Sequence, residues 1–311
     1  MSALPNFFLA GVPKSGTTSL YNYLDQHPDV FMSPIKEPSF FDAEDIRRHN
    51  LPQVARLLER QREYLDQYLD GPMDQRLRPA LVLEWHQYLK LFKNVRGERA
   101  IGEASVSYFG SPGAAGAIHA RIPDAKIIVI LRDPAERMHS LYSSFLRESS
   151  RKTFRERFQG ALDGTDLWSM IIDDGKYATN LRRFFGFFSR ERVSVFLHED
   201  LQRDPRGVLR KLFTFLDVDP EYPVDLSRRH NQSWVPRYPA LHTLRRLVGQ
   251  SIPLLRFLPS PVRRLVRGMY HRPGSQLRID PSDRALVVDF YREETIAAGE
   301  LIGRDLTAWL R

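Results

Sequence analysis

Residues 7–20 read FFLAGVPKSGTTSL, and this stretch decides the fold of the chain. The apolar run over 7–12 predicts a buried strand, because it offers no polar side chain to water. Gly16 predicts a turn, and residues 17–26 predict a helix that ends before His27 and Pro28. A strand, a glycine-bearing turn and a helix start therefore follow one another directly.

The turn between this strand and helix predicts an anion-binding site. A helix N-terminus presents unpaired N–H groups and the positive end of the helix dipole, and Lys14 adds a full positive charge. The spacing from Gly11 to Gly16 is that of a nucleotide-binding P-loop. However, Thr17 and Thr18 stand where a P-loop carries Lys and Ser or Thr for the β- and γ-phosphates and Mg²⁺. The loop therefore favours a different phosphate-like group, and an ordinary turn without a ligand is the alternative.

The composition limits the classes of protein to which the chain can belong. With 311 residues, of which 42% are hydrophobic, it can bury a sizeable core as one large α/β domain or two small ones. It has no run of about 18 apolar residues, so we expect no membrane-spanning helix. Because the predicted strand starts at residue 7, we expect no signal peptide. The absence of cysteine excludes disulfides and zinc–thiolate sites, and together these features predict a cytoplasmic protein.

A second strand predicts the architecture of the sheet. Residues 125–131 read AKIIVIL, a nearly continuous β-branched run that is typical of a parallel sheet covered on both faces. Strands alternate with helices along the chain, for example at 192–197 and 205–216, which indicates an α/β fold with a central parallel sheet flanked by helices. Ligands of such sheets bind beyond the carboxyl ends of the strands.

The end of this second strand carries a second anion-binding signal. Arg132 follows the strand directly, and Ser140 lies two turns into the helix that Pro134 begins. An arginine fork and a serine hydroxyl together can hold one phosphate dianion. The alternatives are a salt bridge from Arg132 to Asp133 and a hydrogen bond from the Ser140 hydroxyl to its own helix backbone.

The net charge of +8 predicts anionic ligands, and much of it lies in one stretch. Between Asp225 and Asp280 the sequence has eleven arginines, no lysine and no acidic residue. Leucines and prolines lie among the arginines, so we expect a helical subdomain or lid over 234–276, with short helices over 241–270. We expect 241–270 to form a lid over the acceptor that also makes peripheral contact with a membrane surface. A packed helical subdomain with its arginines in water is the alternative.

Two motifs in this order resemble those of sulfotransferases that use 3′-phosphoadenosine 5′-phosphosulfate (PAPS). The loop PKSGTTSL resembles their 5′-phosphosulfate loop, and RDPAERMHSLY resembles their 3′-phosphate motif. The resemblance implies that Lys14 offsets charge on the leaving nucleotide and that Arg132 and Ser140 contact the 3′-phosphate. It also implies a P-loop-like nucleotide-binding fold in which backbone N–H groups cradle the 5′-phosphosulfate. These groups belong to Ser15, Gly16, Thr17 and Thr18.

A third segment resembles one branch of this family. Residues 36–41 read KEPSFF, and the longer opening GVPKSGTTSLYNYLDQHPDVFMSPIKEPSFFD looks like that of heparan sulfate and bacterial carbohydrate sulfotransferases. The resemblance implies that Glu37 is the general base. Sulfuryl transfer needs an acceptor relieved of its proton, and a carboxylate among aromatic neighbours can have its pKa raised towards working pH. A surface glutamate paired with Lys36 is the alternative.

The sequence therefore predicts one sulfotransferase domain over 1–311 that transfers a sulfuryl group from PAPS to a carbohydrate or glycolipid. We expect a hydroxyl acceptor, with an amine as second choice, and 3′-phosphoadenosine 5′-phosphate (PAP) as the released product. We expect no metal and no nucleic-acid partner. Two other functions stay open. One is an ATP-dependent small-molecule kinase, against which the displaced lysine counts; the other is a nucleic-acid-binding protein that uses the arginine-rich stretch.

Overall fold

A five-stranded parallel sheet forms the centre of the protein in the computed structural model. The structure describes residues 3–48, 52–61, 64–77, 80–146, 152–165, 168–227, 234–236, 271–273 and 279–311. The strands of the sheet are β1 Phe7–Gly11, β2 Val30–Met32, β3 Ala100–Ala104, β4 Lys126–Leu131 and β5 Val193–Leu197. They lie in the order β2–β3–β1–β4–β5, and each neighbouring pair is parallel. The predicted α/β fold with a central parallel sheet is confirmed.

Helices cover both faces of this sheet. They are α1 Thr17–Leu24, α2 Ala43–Arg48, α3 Pro52–Gln61, α4 Leu65–Asp70, α5 Trp85–Lys90, α6 Ala114–Arg121, α7 Pro134–Leu146, α8 Phe154–Leu162, α9 Ser169–Ile172, α10 Tyr177–Phe187, α11 His198–Arg203, α12 Pro205–Phe215 and α13 Pro281–Ile302. Short 3₁₀ turns add Val106–Tyr108, Asp173–Gly175, Arg190–Arg192 and Thr307–Leu310. Among the helices that the structure describes, none has the length and apolar character needed to cross a membrane.

β1 lies in the middle of the sheet and is buried along its whole length. Phe8 packs into one large apolar cluster with side chains from α6 and α10, and Phe7 packs into another with side chains from α1 and α12. The strand is apolar on both faces because helices cover both faces. The Val12 N–H donates to Ile130 O at 3.1 Å, so the ends of β1 and β4 meet at one edge of the sheet.

Helical periodicity and many charges over residues 51–69 predict one surface helix, but the structure has two helices there, and part of the stretch is core. α3 ends at Gln61, and α4 begins at Leu65. Gln61 is buried, and its Oε1 accepts the Leu81 N–H at 2.9 Å. Leu65 and Leu69 are also buried. The many charges in this stretch suggested exposure, and no local pattern shows that Gln61 binds the backbone of a distant residue.

The helical lid predicted over 234–276 lies almost wholly outside the described residues, and the lid segment 241–270 lies there entirely. The two described parts are short strands, β6 Trp234–Pro236 and β7 His271–Pro273, which pair antiparallel. At these residues the helical prediction is wrong. Each strand ends in a proline, which lacks the N–H that a helix interior needs.

Candidate functional site

The turn after β1 places backbone donors at the start of α1. Lys14 and Gly16 have positive φ angles of 69° and 97°, which turn the chain sharply into the helix. A Cβ on Gly16 would lie 2.9 Å from His198 Nδ1, so the turn has no room for a side chain there. α-Helix geometry leaves the N–H groups of Thr17 and Thr18 without backbone partners and available to a ligand.

Ser15, in the middle of this turn, is fully buried. Its hydroxyl has no hydrogen-bond partner among the described residues, while its N–H donates to Val12 O at 3.3 Å. Buried hydroxyls are normally paired, so an unpartnered one beside a helix N-terminus points to a polar ligand. The sequence predicted the Ser15 N–H as the ligand donor, and the structure instead leaves the hydroxyl unpartnered.

Arg132 links the loop after β4 to the loop after β1. Its Nη1 donates to Lys14 O at 2.9 Å, and its Nη2 lies 3.4 Å from Glu136 Oε2. Only 13% of the Arg132 side chain is exposed. Ser140 lies one turn beyond Glu136 on α7, and residues four apart share a helix face. The structure therefore brings Arg132 to the predicted 5′ loop and places Ser140 on the helix face that bears its ion-pair partner.

Asp133 is not the partner of Arg132 but fixes the start of α7. Its Oδ1 accepts the Ala135 N–H at 2.8 Å, and its Oδ2 accepts from Arg284 Nη2, on α13, at 2.7 Å. The Asp133 N–H donates to Glu199 Oε1 at 3.1 Å. These bonds hold the backbone from which Arg132 projects. They therefore preorganise the loop between β4 and α7, residues 132–133, which we call the second anion loop because the sequence predicts that it binds an anion. The first anion loop is residues 12–16, between β1 and α1.

His198 and Tyr177 contact the loops after β1 and β4, although neither was predicted from the sequence as a site residue. His198 directly follows β5, and its Nδ1 lies 2.9 Å from Ser15 O. Because a carbonyl oxygen only accepts, Nδ1 carries the proton. Burial, followed by the positive charge of Arg132, lowers the pKa of His198 to about 4, so the ring is neutral at pH 7. Tyr177 OH donates to Arg132 O at 2.6 Å. The position of His198 immediately after a strand was a signal that could have found it.

Residues 36–41, hereafter the base loop, turn tightly at the carboxyl end of β3. The φ angle of Glu37 is 66° and that of Ser39 is 50°, and the Glu37 N–H donates to Ala104 O at 2.8 Å. Lys36 Nζ forms an ion pair with Glu37 Oε1. The Lys36 side chain is 3% exposed, whereas that of Glu37 is 38% exposed. The ion pair between Lys36 and Glu37, which was the alternative to a role as general base, is therefore present. However, Lys36 is buried and Glu37 remains open to solvent.

The three predicted parts of the site lie at the ends of neighbouring strands. Glu37 is anchored at the end of β3, Lys14 follows β1, and Arg132 follows β4. These strands are adjacent in that order, and adjacent strands lie about 4.8 Å apart. The base loop and the two anion loops therefore lie side by side along one edge of the sheet.

Two buried acids lie behind the base loop. Glu103 is fully buried, and burial raises its pKa to about 7. Asp42 is also buried, and burial raises its pKa to about 7. Asp42 Oδ1 has no hydrogen-bond partner among the residues that the structure describes. Neither acid was predicted from the sequence as a site residue.

Known proteins with similar sequences are sulfotransferases. Residues 5–222 match the family model described as "Sulfotransferase family". Carbohydrate sulfotransferase 15 of Mus musculus is 29% identical over 261 residues, which cover 71% of this chain and 45% of the mouse protein. Bifunctional heparan sulfate N-deacetylase/N-sulfotransferase 4 of Mus musculus is 24% identical over 322 residues, which cover 99% of this chain and 31% of that protein. The chain therefore spans less than half the length of these curated relatives.

A solved structure is similar over nearly the whole chain. The crystal structure of a sulfotransferase from Alicyclobacillus acidocaldarius has a TM-score of 0.69 and 30% sequence identity, and the alignment covers 99% of this chain and 100% of that one. This similarity and the family match support the sulfotransferase prediction over the kinase and nucleic-acid-binding alternatives. Both also agree with the anion-binding role that the sequence predicts for the loops at the ends of β1 and β4. The chain belongs to the sulfotransferase family.

Proposed function

We propose that this protein transfers a sulfuryl group from PAPS to a hydroxyl, or to an amine, of a carbohydrate or glycolipid acceptor. The observation that carries the proposal is the hydrogen bond from Arg132 Nη1 to Lys14 O, at 2.9 Å. It joins two anion-binding loops at the ends of neighbouring strands. A nucleotide with anionic groups at both its 3′ and 5′ positions needs two such loops. Sulfotransferases of this family take their sulfuryl group from PAPS.

The described residues fit a sulfated nucleotide at both loops. At the first loop, the Ser15 hydroxyl and the N–H groups of Thr17 and Thr18 are donors for the 5′-phosphosulfate. At the second loop, the Arg132 guanidinium and the Ser140 hydroxyl are donors for the 3′-phosphate. When bound, PAPS supplies an activated sulfuryl group, and this chain supplies the charges that hold it.

Glu37 and Lys14 are the residues to which we assign the chemistry. Glu37 accepts the proton of the acceptor group as that group attacks sulfur. Lys36 holds one oxygen of the Glu37 carboxylate through their ion pair, which leaves the other oxygen for the acceptor. Lys14 offsets the negative charge that develops on the departing nucleotide.

The class of acceptor and the cellular location of the protein are supported by different observations. The names carbohydrate sulfotransferase and heparan sulfate N-sulfotransferase support a sugar acceptor for this chain as well. The cysteine-free composition supports a cytoplasmic location. The membrane contact expected of the arginine-rich segment stays a prediction, because most of that segment lies outside the described residues.

Calorimetry with PAP tests the donor half of the proposal. We expect PAP to bind in the presence of a chelator, because the proposed ligands are side-chain and backbone donors. ATP with Mg²⁺ is the matched comparison and should bind more weakly. A requirement for Mg²⁺, or a preference for ATP, would favour the kinase alternative.

Radiolabelled PAPS tests the acceptor half. The protein is incubated with the labelled donor and a panel of glycans, glycolipids and phenols, and each acceptor is then separated and counted. We expect label on a carbohydrate-bearing acceptor. Label on phenols alone would contradict the proposed carbohydrate acceptor but would still support sulfuryl transfer from PAPS.

A further inference from the structure

Two hydroxyl groups from the segment after β3 hold the base loop. The Ser39 N–H donates to Ser105 Oγ at 3.0 Å, and the Phe41 N–H donates to Tyr108 OH at 3.3 Å. Glu37 and Ser39 both have φ angles in the left-handed region. Residues other than glycine keep such angles only where surrounding contacts impose them. The two hydroxyls are contacts of this kind.

Glu103 sets the direction in which both hydroxyls point. Ser105 Oγ donates to Glu103 Oε2 at 2.9 Å, and Tyr108 OH donates to Glu103 Oε1 at 2.6 Å. A hydroxyl has one proton to donate, and in each case the carboxyl group of Glu103 takes it. The hydroxyl oxygens are thereby left to accept from the base loop. All three side chains are fully buried, so water does not compete for these bonds.

We propose that Glu103 is a positioning residue for the general base. Acting through Ser105 and Tyr108, it holds the base loop in the conformation that presents Glu37 to the acceptor. The effect on catalysis rests on the proposed function. The stabilisation of the base loop by Glu103 does not depend on that function. Misplacing a reacting group by about 1 Å can cost about 100-fold in rate, so a loosened base loop should lower turnover.

Tyr88 provides a matched control for Tyr108. Both phenols are fully buried, and both donate to Glu103 Oε1, Tyr88 OH at 3.2 Å. Tyr108 OH also accepts from the base loop, whereas within the described residues the hydrogen bond of Tyr88 OH is to Glu103. Replacing either residue with Phe therefore removes one hydroxyl from the same carboxyl oxygen. Of the two changes, Tyr108→Phe also removes an acceptor for the base loop.

Hydrogen exchange tests whether Glu103 holds the loop, in the full chain without any ligand. In Tyr108→Phe we expect the Phe41 amide to exchange at least about tenfold faster than in the wild type. In Glu103→Gln we expect the same of either the Ser39 or the Phe41 amide, because the new NH₂ group cannot accept from the hydroxyl that it faces, whereas the remaining amide oxygen still accepts from the other. Tyr88→Phe should leave these rates unchanged. Equal rates in Tyr108→Phe and Tyr88→Phe would overturn the proposal.

Steady-state kinetics test the consequence for catalysis. We expect Tyr108→Phe and Glu103→Gln to lower kcat by about 10- to 100-fold while the KM for PAPS stays close to that of the wild type. If the hydroxyl of Tyr108 only stabilised the fold, Tyr108→Phe and Tyr88→Phe would lower thermal stability to the same extent. Their kcat values would then not differ. If the wild type is active and Tyr108→Phe matches Tyr88→Phe, the positioning role is wrong. If the wild type transfers no sulfuryl group, the proposed function fails, and the exchange rates still decide whether Glu103 holds the loop.

Discussion

The two anion loops, after β1 and β4, form the donor side of the site and present backbone groups and helix termini. The base loop and the acids behind it form the base side, and the base loop takes its shape from side chains elsewhere in the chain. The first anion loop lies within a few residues of its strand, and Arg132 directly follows β4. The base loop binds Ser105 and Tyr108, which lie 66 and 67 residues away from their partners. The backbone of each anion loop is set by the strand and the helix that it joins, and long-range bonds such as that from Arg132 Nη1 to Lys14 O then connect the two loops. The base loop is fixed only when distant residues have packed.

The two sides also differ in charge. The donor side has a largely buried Arg132 and a His198 that its surroundings keep neutral. The base side has the buried acids Glu103 and Asp42, whose pKa values burial raises to about 7. Changes on one side should therefore leave the other side intact, which single substitutions can test.

Glu37→Gln should have the largest effect and should affect the base side alone. The amide keeps the shape of the side chain and can still accept from Lys36, but it is not a base. We expect turnover to fall by about 10²- to 10⁴-fold. PAP affinity, measured by calorimetry, should stay close to that of the wild type. Glu84→Gln, at an exposed position, is the control. A large loss of PAP affinity in Glu37→Gln would show that the two sides are not separate.

Arg132→Ala should have the next largest effect, on the donor side. A charge-assisted contact to phosphate contributes about 1.5–3 kcal/mol, so PAP affinity should fall about tenfold or more. Affinity for adenosine 5′-phosphate, which lacks the 3′-phosphate, should change much less. Arg203→Ala is the control, because that side chain is 78% exposed and ion-paired with Asp200. Equal losses for both nucleotides would mean that Arg132 supports the fold of the loop and not the 3′-phosphate.

The smallest predicted effects are on stability, and they have opposite signs on the two sides. Burial raises the pKa of Glu103 from 4.5 to about 7, so its contribution to stability is full below pH 4.5 and is lost as the pH rises towards 7. Burial and the charge of Arg132 lower the pKa of His198 from 6.5 to about 4. The unfolded chain therefore takes up a proton that the folded protein does not, and stability falls as the pH falls from 6.5 to 4.

Urea denaturation across this pH range checks both signs. Glu103→Gln should weaken the loss of stability with rising pH, and His198→Gln should weaken the loss with falling pH. Each slope should change by up to about 1.4 kcal/mol per pH unit. Asp42 remains in Glu103→Gln, so part of the loss with rising pH should persist. Identical slopes in the wild type and both variants would contradict these protonation states.

Most of the donor side could be predicted from the sequence because it is local. The strand predicted over 7–12 is Phe7–Gly11, and the helix predicted over 17–26 is Thr17–Leu24. Both anion loops follow strands whose apolar runs are visible without alignment. Their proximity followed from the rule that parallel strands end at one edge of the sheet. The binding roles of Lys14, Arg132 and Ser140 stay predictions.

The base side could be predicted only in part. The segment KEPSFF pointed to Glu37 through a resemblance, but nothing local indicates its positive φ angle or its partners. Acids are rarely fully buried, so burial of Glu103 and Asp42 runs against the average behaviour of their residue type. Their burial depends on hydroxyl donors and aromatic side chains that the fold brings together. His198 directly follows a strand, which was a local signal, but its partner is a backbone carbonyl 183 residues away that the sequence does not indicate.

Arg284 shows that the segment matched by the family model stops before a residue that shapes the loop after β4. The family match spans residues 5–222, yet Arg284 on α13 donates from Nη2 to Asp133 and from Nε to Arg311 O. The C-terminal helix therefore braces the loop that carries Arg132. A substitution of Arg284 would therefore loosen the backbone next to Arg132 without changing any residue of the matched region. A comparison of sequences restricted to that region would miss such a change.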